Sequence, residues 1–371
     1  RREEARCARI GQAAATVFPG GRIAVCHDGQ LPSRICCEAF EAGVTACGGE
    51  IIRLGEGWDT LLSATVHSLR LNAGFFFDSA GNRTTVHPCG GDGLPLSRSA
   101  ERKLTSVLIN DEFRRCGWED YREPMALNGA WLYYRQTLLN GLPDLSHYGI
   151  RLTACDGQLQ HFADGLTEEF SSRESALRFH VAQSGHTLSG FDENGVFLPV
   201  SRMEVLTGAA VLFSGEALAV PNEAPALLNS IAEQAKKPLL RFSPYAADEK
   251  EARSLAAAQR VTVDAFASLL RLLSYLAGAS LRLCDFNARI PPLSVNEFEI
   301  KVEKNVQEVL RELTEHYHGE AADDGVRLRH GTADAFCRSN KRGDTLRVRV
   351  RASDMELAEE FTEELRKKAG E

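Results

Sequence analysis

The feature that most restricts this chain is the regular exchange of two hydrophobic periods across residues 9–77. Arg9 to Phe18 has helical spacing, Gly21-Arg22-Ile23-Ala24-Val25-Cys26 is a short apolar run, and Ser33 to Cys47 is helical again. Gly48-Gly49 ends that helix, Glu50 to Leu54 is a second strand, Thr60 to Leu71 a third helix, and Gly74-Phe75-Phe76-Phe77 a third strand. Strands that alternate with helices at this spacing predict a parallel sheet with crossover helices. In such sheets ligands gather at the carboxyl ends of the strands, which directs attention to the loops after Cys26 and after Phe77.

The rest of the chain divides at turn signals. Ser99 to Leu142 reads as mainly helical, Ile150 to Cys155 as one strand, and the polar stretch after it as a reduced unit. Strand-like Phe179-His180-Val181 follows, then a hairpin turn at Asp192-Glu193-Asn194-Gly195 and helices at 202–213, 224–235 and 261–277. Pro291-Pro292 breaks both helix and sheet and marks a boundary. Beyond it, strands at 298–302, 325–328 and 345–350 with helices at 305–318 and 356–368 predict a small α+β unit. Leu346, Val348 and Val350 alternate with Arg347, Arg349 and Arg351, which predicts one buried and one wet face. The expected units are 1–142, 143–178, 179–292 and 293–371.

The 371 residues carry a net charge of −8 with 43% hydrophobic residues, a globular composition that argues against general nucleic-acid affinity, since that affinity needs clustered cations. No apolar run approaches the roughly 18 residues of a membrane span, and Arg1-Arg2-Glu3-Glu4 is wrong for a secretory signal. The expectation is a cytoplasmic protein with no membrane partner. Ten cysteines without a C-x-x-C pair predict reduced, mostly buried thiols. His87-Pro88-Cys89-Gly90-Gly91 sets a thiol near a histidine and reads as a polar loop with an incidental cysteine. Gly20-Gly21 and Gly48-Gly49 form neither a dinucleotide fingerprint nor a Walker loop.

Several segments in order resemble the α-D-phosphohexomutases, the phosphoglucomutase, phosphomannomutase and phosphoglucosamine mutase group. Val25-Cys26-His27-Asp28-Gly29-Gln30-Leu31-Pro32-Ser33 resembles the family's V-x-G-x-D-x-R-x-S-S strand and turn, and Asp92-Gly93-Leu94-Pro95-Leu96 the end of the segment after its catalytic loop. Val263-Asp264-Ala265 with Leu269 to Leu273 resembles the helix after its sugar loop. Asp324 to Arg327 and Thr345 to Val350 resemble the strands flanking its phosphate loop. The resemblance implies a multidomain α/β chain of parallel and mixed sheets flanked by helices, with a reduced second domain and a C-terminal α+β phosphate-loop domain. It also implies a start shortened ahead of Arg9, where the family has a glycine-rich segment.

The family's functional positions, carried over one at a time, are altered. The reaction needs a phosphoserine fixed in the cleft, carried in T-A-S-H-N-P; here the serine position is Ala80 and the histidine position Gly81, with Ser79 a weak substitute one residue away. Mg²⁺ is held by three aspartates in D-G-D-x-D-R, where this chain has Ala182-Gln183-Ser184-Gly185-His186-Thr187, without a carboxylate. No metal is therefore expected, and His186 with His180 reads as no zinc pair. The sugar loop G-E-x-S-G-H has no counterpart in 242–260; Ser184-Gly185-His186 matches its end but lies in another unit. The phosphate loop keeps an arginine, Arg338, followed by Ser339, Asn340, Lys341 and Arg342, which could hold an anion. The expectation is a non-catalytic homologue with a binding or regulatory role, open to a hexose phosphate or another anion. The alternatives are an active mutase using Ser79 and Mg²⁺, and a structural subunit that pairs with itself or with an enzyme through the first domain.

Overall fold

The computed structural model describes residues 3–81, 83–155, 157–170, 177–246, 249–302, 305–340 and 343–370. The first unit runs α1 (Glu3–Val17), β1 (Arg22–His27), α2 (Leu31–Ala46), β2 (Glu50–Glu56), α3 (Asp59–Ser68), β3 (Ala73–Ala80), β4 (Arg83–Gly90), α4 (Arg98–Asn110) and β5 (Met125–Ala126). Its five strands lie in the order β4-β3-β1-β2-β5. All neighbours are parallel except β4, which returns antiparallel to β3. Successive β3 residues face opposite sides: Phe75 and Phe77 pack on Phe40 of α2, with ring centroids 4.6 and 5.4 Å apart, while Phe76 joins Leu62 and Val66 of α3 on the other face.

The predicted alternation is present with small end shifts, but β4 was not expected. Its polar residues and Pro88 hide it, and both are tolerated because β4 is an edge strand, where a missing N–H costs no ladder bond on the open side. Helices α1 and α2 press together at two glycines. A Cβ on Gly11 would lie 2.1 Å from the Phe40 carbonyl oxygen, and one on Gly43 would lie 2.0 Å from that of Ala8, so only glycine permits this approach.

The middle of the chain continues with α5 (Ala130–Leu139), β6 (Ile150–Ala154), α6 (Gly157–Glu169), β7 (Leu177–Ala182), β8 (Thr187–Phe191), β9 (Phe197–Leu198), α7 (Val200–Phe213), β10 (Leu218–Pro221), α8 (Leu227–Ala235), β11 (Leu239–Phe242), α9 (Lys250–Gln259), α10 (Ala265–Ala279) and α11 (Leu283–Arg289). Strands β6-β7-β8-β9 form one mixed sheet, and β10-β11 a separate two-stranded parallel one. The segment 143–178 contributes β6 and α6, and β6 pairs with β7 along its whole length. The division at 178/179 falls inside β7. The smallest sheet is β10-β11, with α8 and α9 against it. One apolar core runs from Trp58, just before α3, and Leu61 within it through β6–β8 and α7 to α10 and α11, so the first unit is packed on the middle.

After Pro291-Pro292 come β12 (Ser294–Lys301), α12 (Val306–His316), β13 (Glu320–Ala322), β14 (Gly325–His330), β15 (Ala333–Ser339), β16 (Thr345–Ala352) and α13 (Met355–Ala369). The sheet order is β12-β16-β15-β14-β13, antiparallel throughout. Leu346, Val348 and Val350 are buried as expected, but Arg351 is not on a wet face. It is 2% exposed, because its guanidinium reaches Asp334 and the Glu223 carbonyl at the junction with the middle of the chain. Eight of the ten cysteines are buried, and these eight are free thiols. Among the described residues no single helix is long and apolar enough to cross a membrane.

Candidate functional site

The carboxyl ends of β1 and β3 are tied by one carboxylate. Asp28 Oδ1 accepts from the Gln30 amide at 2.9 Å and from the Ser33 hydroxyl, and Oδ2 accepts from the Ser79 amide at 2.8 Å. Where the catalytic loop was expected, the chain makes a tight hairpin. Ala80 pairs with Arg83 across the ladder, so only two residues separate the strands, and Asn82 lies outside the described residues. Ser79 is opposite Thr84, with the two hydroxyl oxygens 3.1 Å apart, and among the described residues no histidine or carboxylate is bonded to that hydroxyl. His87 Nε2 faces Asp78 Oδ1 at 3.0 Å. Cys89 is buried and its thiol pKa is pushed far up by burial, with Asp59 adding to it, so it is no nucleophile.

Residues 182–187 form a tight turn with positive φ at Gln183, Ser184 and Gly185. A Cβ on Gly185 would lie 2.1 Å from Thr60 Oγ1, which shows how closely this turn is pressed on α3. His186 locks the contact: Nε2 lies 2.9 Å from Asp59 Oδ2, and Nδ1 lies 2.9 Å from the Val263 carbonyl oxygen. Two acceptors require two N–H donors, hence an imidazolium. Burial alone would lower the His186 pKa, but Asp59, the Val263 carbonyl and Asp264 outweigh it and raise it above its ordinary value. One side chain thus joins the first sheet unit, the β7–β8 turn and the approach to α10. Among the described residues no group of three His, Cys, Asp or Glu could hold a metal ion. The donor set at 182–187 does not fit Mg²⁺, a hard cation that takes several oxygen ligands.

The stretch 242–260, where a sugar loop was sought, carries α9, and residues 247–248 lie outside the described residues. Arg253 is nearly buried and is spent on fixation. Its Nε and Nη2 donate to Asp92 Oδ2 at 3.0 and 2.8 Å, and it also reaches the carbonyls of Pro244, Pro95 and Ala246. Nearby, Tyr134 donates to Asp264, which also caps α10 and pairs with Arg260.

At the phosphate-loop position Arg338 is the penultimate residue of β15, but its Nη1 lies 3.4 Å from Glu223 Oε2, and Arg349 Nη1 lies 3.8 Å from Glu223 Oε1. Ser339 donates to the Asn340 carbonyl. Asn340 Oδ1 accepts from the amides of Gly343 and Asp344 at 2.7 and 3.2 Å, the donors an anion would otherwise use. Lys341 and Arg342 lie outside the described residues. Sequence reasoning found Arg338 but missed Glu223, Asp59 and Val263, each far along the chain from its partner and without a local signal.

Fold and sequence now define a class. Residues 2–115 match the family model "Phosphoglucomutase/phosphomannomutase, alpha/beta/alpha domain I". A phosphoglucomutase/phosphomannomutase family protein from Burkholderia thailandensis is 13% identical with a TM-score of 0.73, over 98% of this chain and 93% of that one. Parafusin, a phosphoglucomutase from Paramecium solved in an open form, gives 10% and 0.65 over 98% and 92%. An N-acetylphosphoglucosamine mutase from Aspergillus fumigatus, in complex with GlcNAc-6P and magnesium, gives 12% and 0.50 over 94% and 76%. No curated protein sequence matches this chain. The chain therefore has the phosphohexomutase fold, and its first unit matches the domain I model of that family.

Proposed function

We propose that this chain is a non-catalytic phosphohexomutase homologue that works by binding. The observation that carries this reading is the β3–β4 hairpin: with Ala80 paired to Arg83, the strand ends leave two residues where phosphoryl transfer needs a positioned serine. The His186 contacts support it, since an imidazolium held by Asp59 and Val263 stands where the superfamily places carboxylates for Mg²⁺. Anion affinity at Arg338, Ser339 and Asn340 is retained but weak, because Glu223 competes for the arginine. Free thiols at the eight buried cysteines agree with a cytoplasmic setting.

The test is intact mass after incubation with a hexose bisphosphate and Mg²⁺. The reading predicts an unchanged mass; a stable phosphoryl adduct removed by Ser79→Ala would establish the active-mutase alternative. A second reading, self-association through the first unit, rests on the exposure of Trp118 (82%) and Tyr121 (51%) ahead of the edge strand β5 and of Met125 (57%) within it. Solution mass decides it: a monomer at micromolar concentration would remove it.

A further inference from the structure

At the end of the first sheet opposite the turns after β1 and β3, an open groove of about 860 Å³ runs between the last turn of α3, the turn after β4, α5 and α9. Its floor is one connected group. Arg253 of α9, its side chain 9% exposed, donates to Asp92 Oδ2, and Asp92 Oδ1 accepts from the Leu94 amide at 3.0 Å. Arg260, which caps the end of α9, is held by Asp264 and by the Ser63 hydroxyl at 2.8 Å. Its Nη1 is buried and has no hydrogen-bond partner among the described residues. That nitrogen lies against the same turn: a Cβ on Gly93 would stand 3.2 Å from it and 3.2 Å from His67 Cβ.

The charges of the groove do not balance. Arg70 and Lys250 stand at its exposed rim with Arg253 and Arg260 below them, and among the described residues Asp92 is the one carboxylate on the wall. With Asp264 behind Arg260 counted as well, four cations face two carboxylates that are already engaged, which leaves an excess of two positive charges. In a chain of net charge −8, a local field of this sign collects small anions. The hydroxyls of Ser68 and Ser254 line the same walls, and a guanidinium fork matches the oxygens of a phosphate. A long polyanion is disfavoured, because the acidic remainder of the chain repels it.

We propose that this groove binds a phosphate dianion, free or as the monoester of a small metabolite, with its charge against Arg70, Lys250 and Arg260. The groove shares no lining residue with the phosphate-loop position, and the site stands whether or not the chain is catalytic. Because its walls come from the first unit and from α9, a bound anion ties the two together and stabilises the folded chain.

The probe is inorganic phosphate at low ionic strength, followed by calorimetry on Arg338→Ala, in which the phosphate-loop position no longer contributes. Saturable binding is expected there, and adding Arg70→Gln with Lys250→Gln should weaken it at least tenfold. Both of these side chains are exposed, so the two substitutions should leave the melting temperature without ligand within about 2 °C. Glucose 6-phosphate tells the two sources apart: affinity no greater than that of phosphate points to the free ion and greater affinity to the ester, and both agree with the site. On the parent chain sulfate, a dianion throughout the neutral range, should raise the pKa of His67, which burial and Arg260 lower and Asp92 raises. The His67 ring signal is assigned by its loss in His67→Gln. Absence of saturation in Arg338→Ala, undiminished affinity after the Arg70 and Lys250 substitutions, or a His67 signal that sulfate leaves unmoved overturns the proposal.

Discussion

Two strand-end turns, β3–β4 in the first unit and β15–β16 in the last, differ in how they depart from the superfamily pattern. The first is closed by construction: Ala80 and Arg83 are ladder partners, and Asp28 fastens Ser79 to the start of α2. The second keeps its arginine in place but neutralises it, with Glu223 against Arg338 and Asn340 on the turn amides. Binding chemistry masked by a counter-charge can be recovered by one substitution. On the proposed non-catalytic reading, chemistry lost with its loop is not recovered that way.

The largest effect is expected where the first turn's surroundings are fixed to the middle of the chain. Arg253→Ala leaves Asp92 and three carbonyls without their donor and should cost about 3 kcal/mol, the lower end for breaking a buried pair because Asp92 is partly hydrated; chemical denaturation measures it. Next, Glu223→Gln should release Arg338 and tighten glucose 6-phosphate binding by about tenfold, or about 1.4 kcal/mol, read by calorimetry at low salt. No gain would mean that the second turn is as closed as the first.

His186→Gln should cost about 1 kcal/mol, modest because the ring is partly exposed. The cost depends on pH. The folded His186 pKa is raised above its ordinary value of about 6.5. Its contribution is therefore fully present below that value and is lost as pH rises through the folded pKa. The stability gap between parent and variant should shrink towards alkaline pH, and a gap that widens would contradict the imidazolium. The smallest effect is that of Ala80→Ser, which should change stability by less than about 0.5 kcal/mol and restore no mutase turnover.

Much of the fold was legible because hydrophobic period is a local signal: β1, β2 and β3 with their helices in the first unit, and β12, β14 and β16 in the last. The failures have physical causes. β4 is polar and holds Pro88, as an edge strand can; α6 starts at Gly157 in a polar stretch that gives little periodicity; Arg351 sits in an alternating strand whose outer face is covered by another unit. The candidate site was half legible. Residue types carry the expectation that the serine and carboxylates are replaced, but the contacts of these turns depend on partners distant in sequence, such as Asp59 for His186 across 127 positions.

The central claim, that binding outlived catalysis in this fold, is tested most directly by a coupled mutase assay with glucose, mannose and glucosamine phosphates in the presence of Mg²⁺. The account predicts no turnover above the buffer blank; turnover that a chelator abolishes would contradict it.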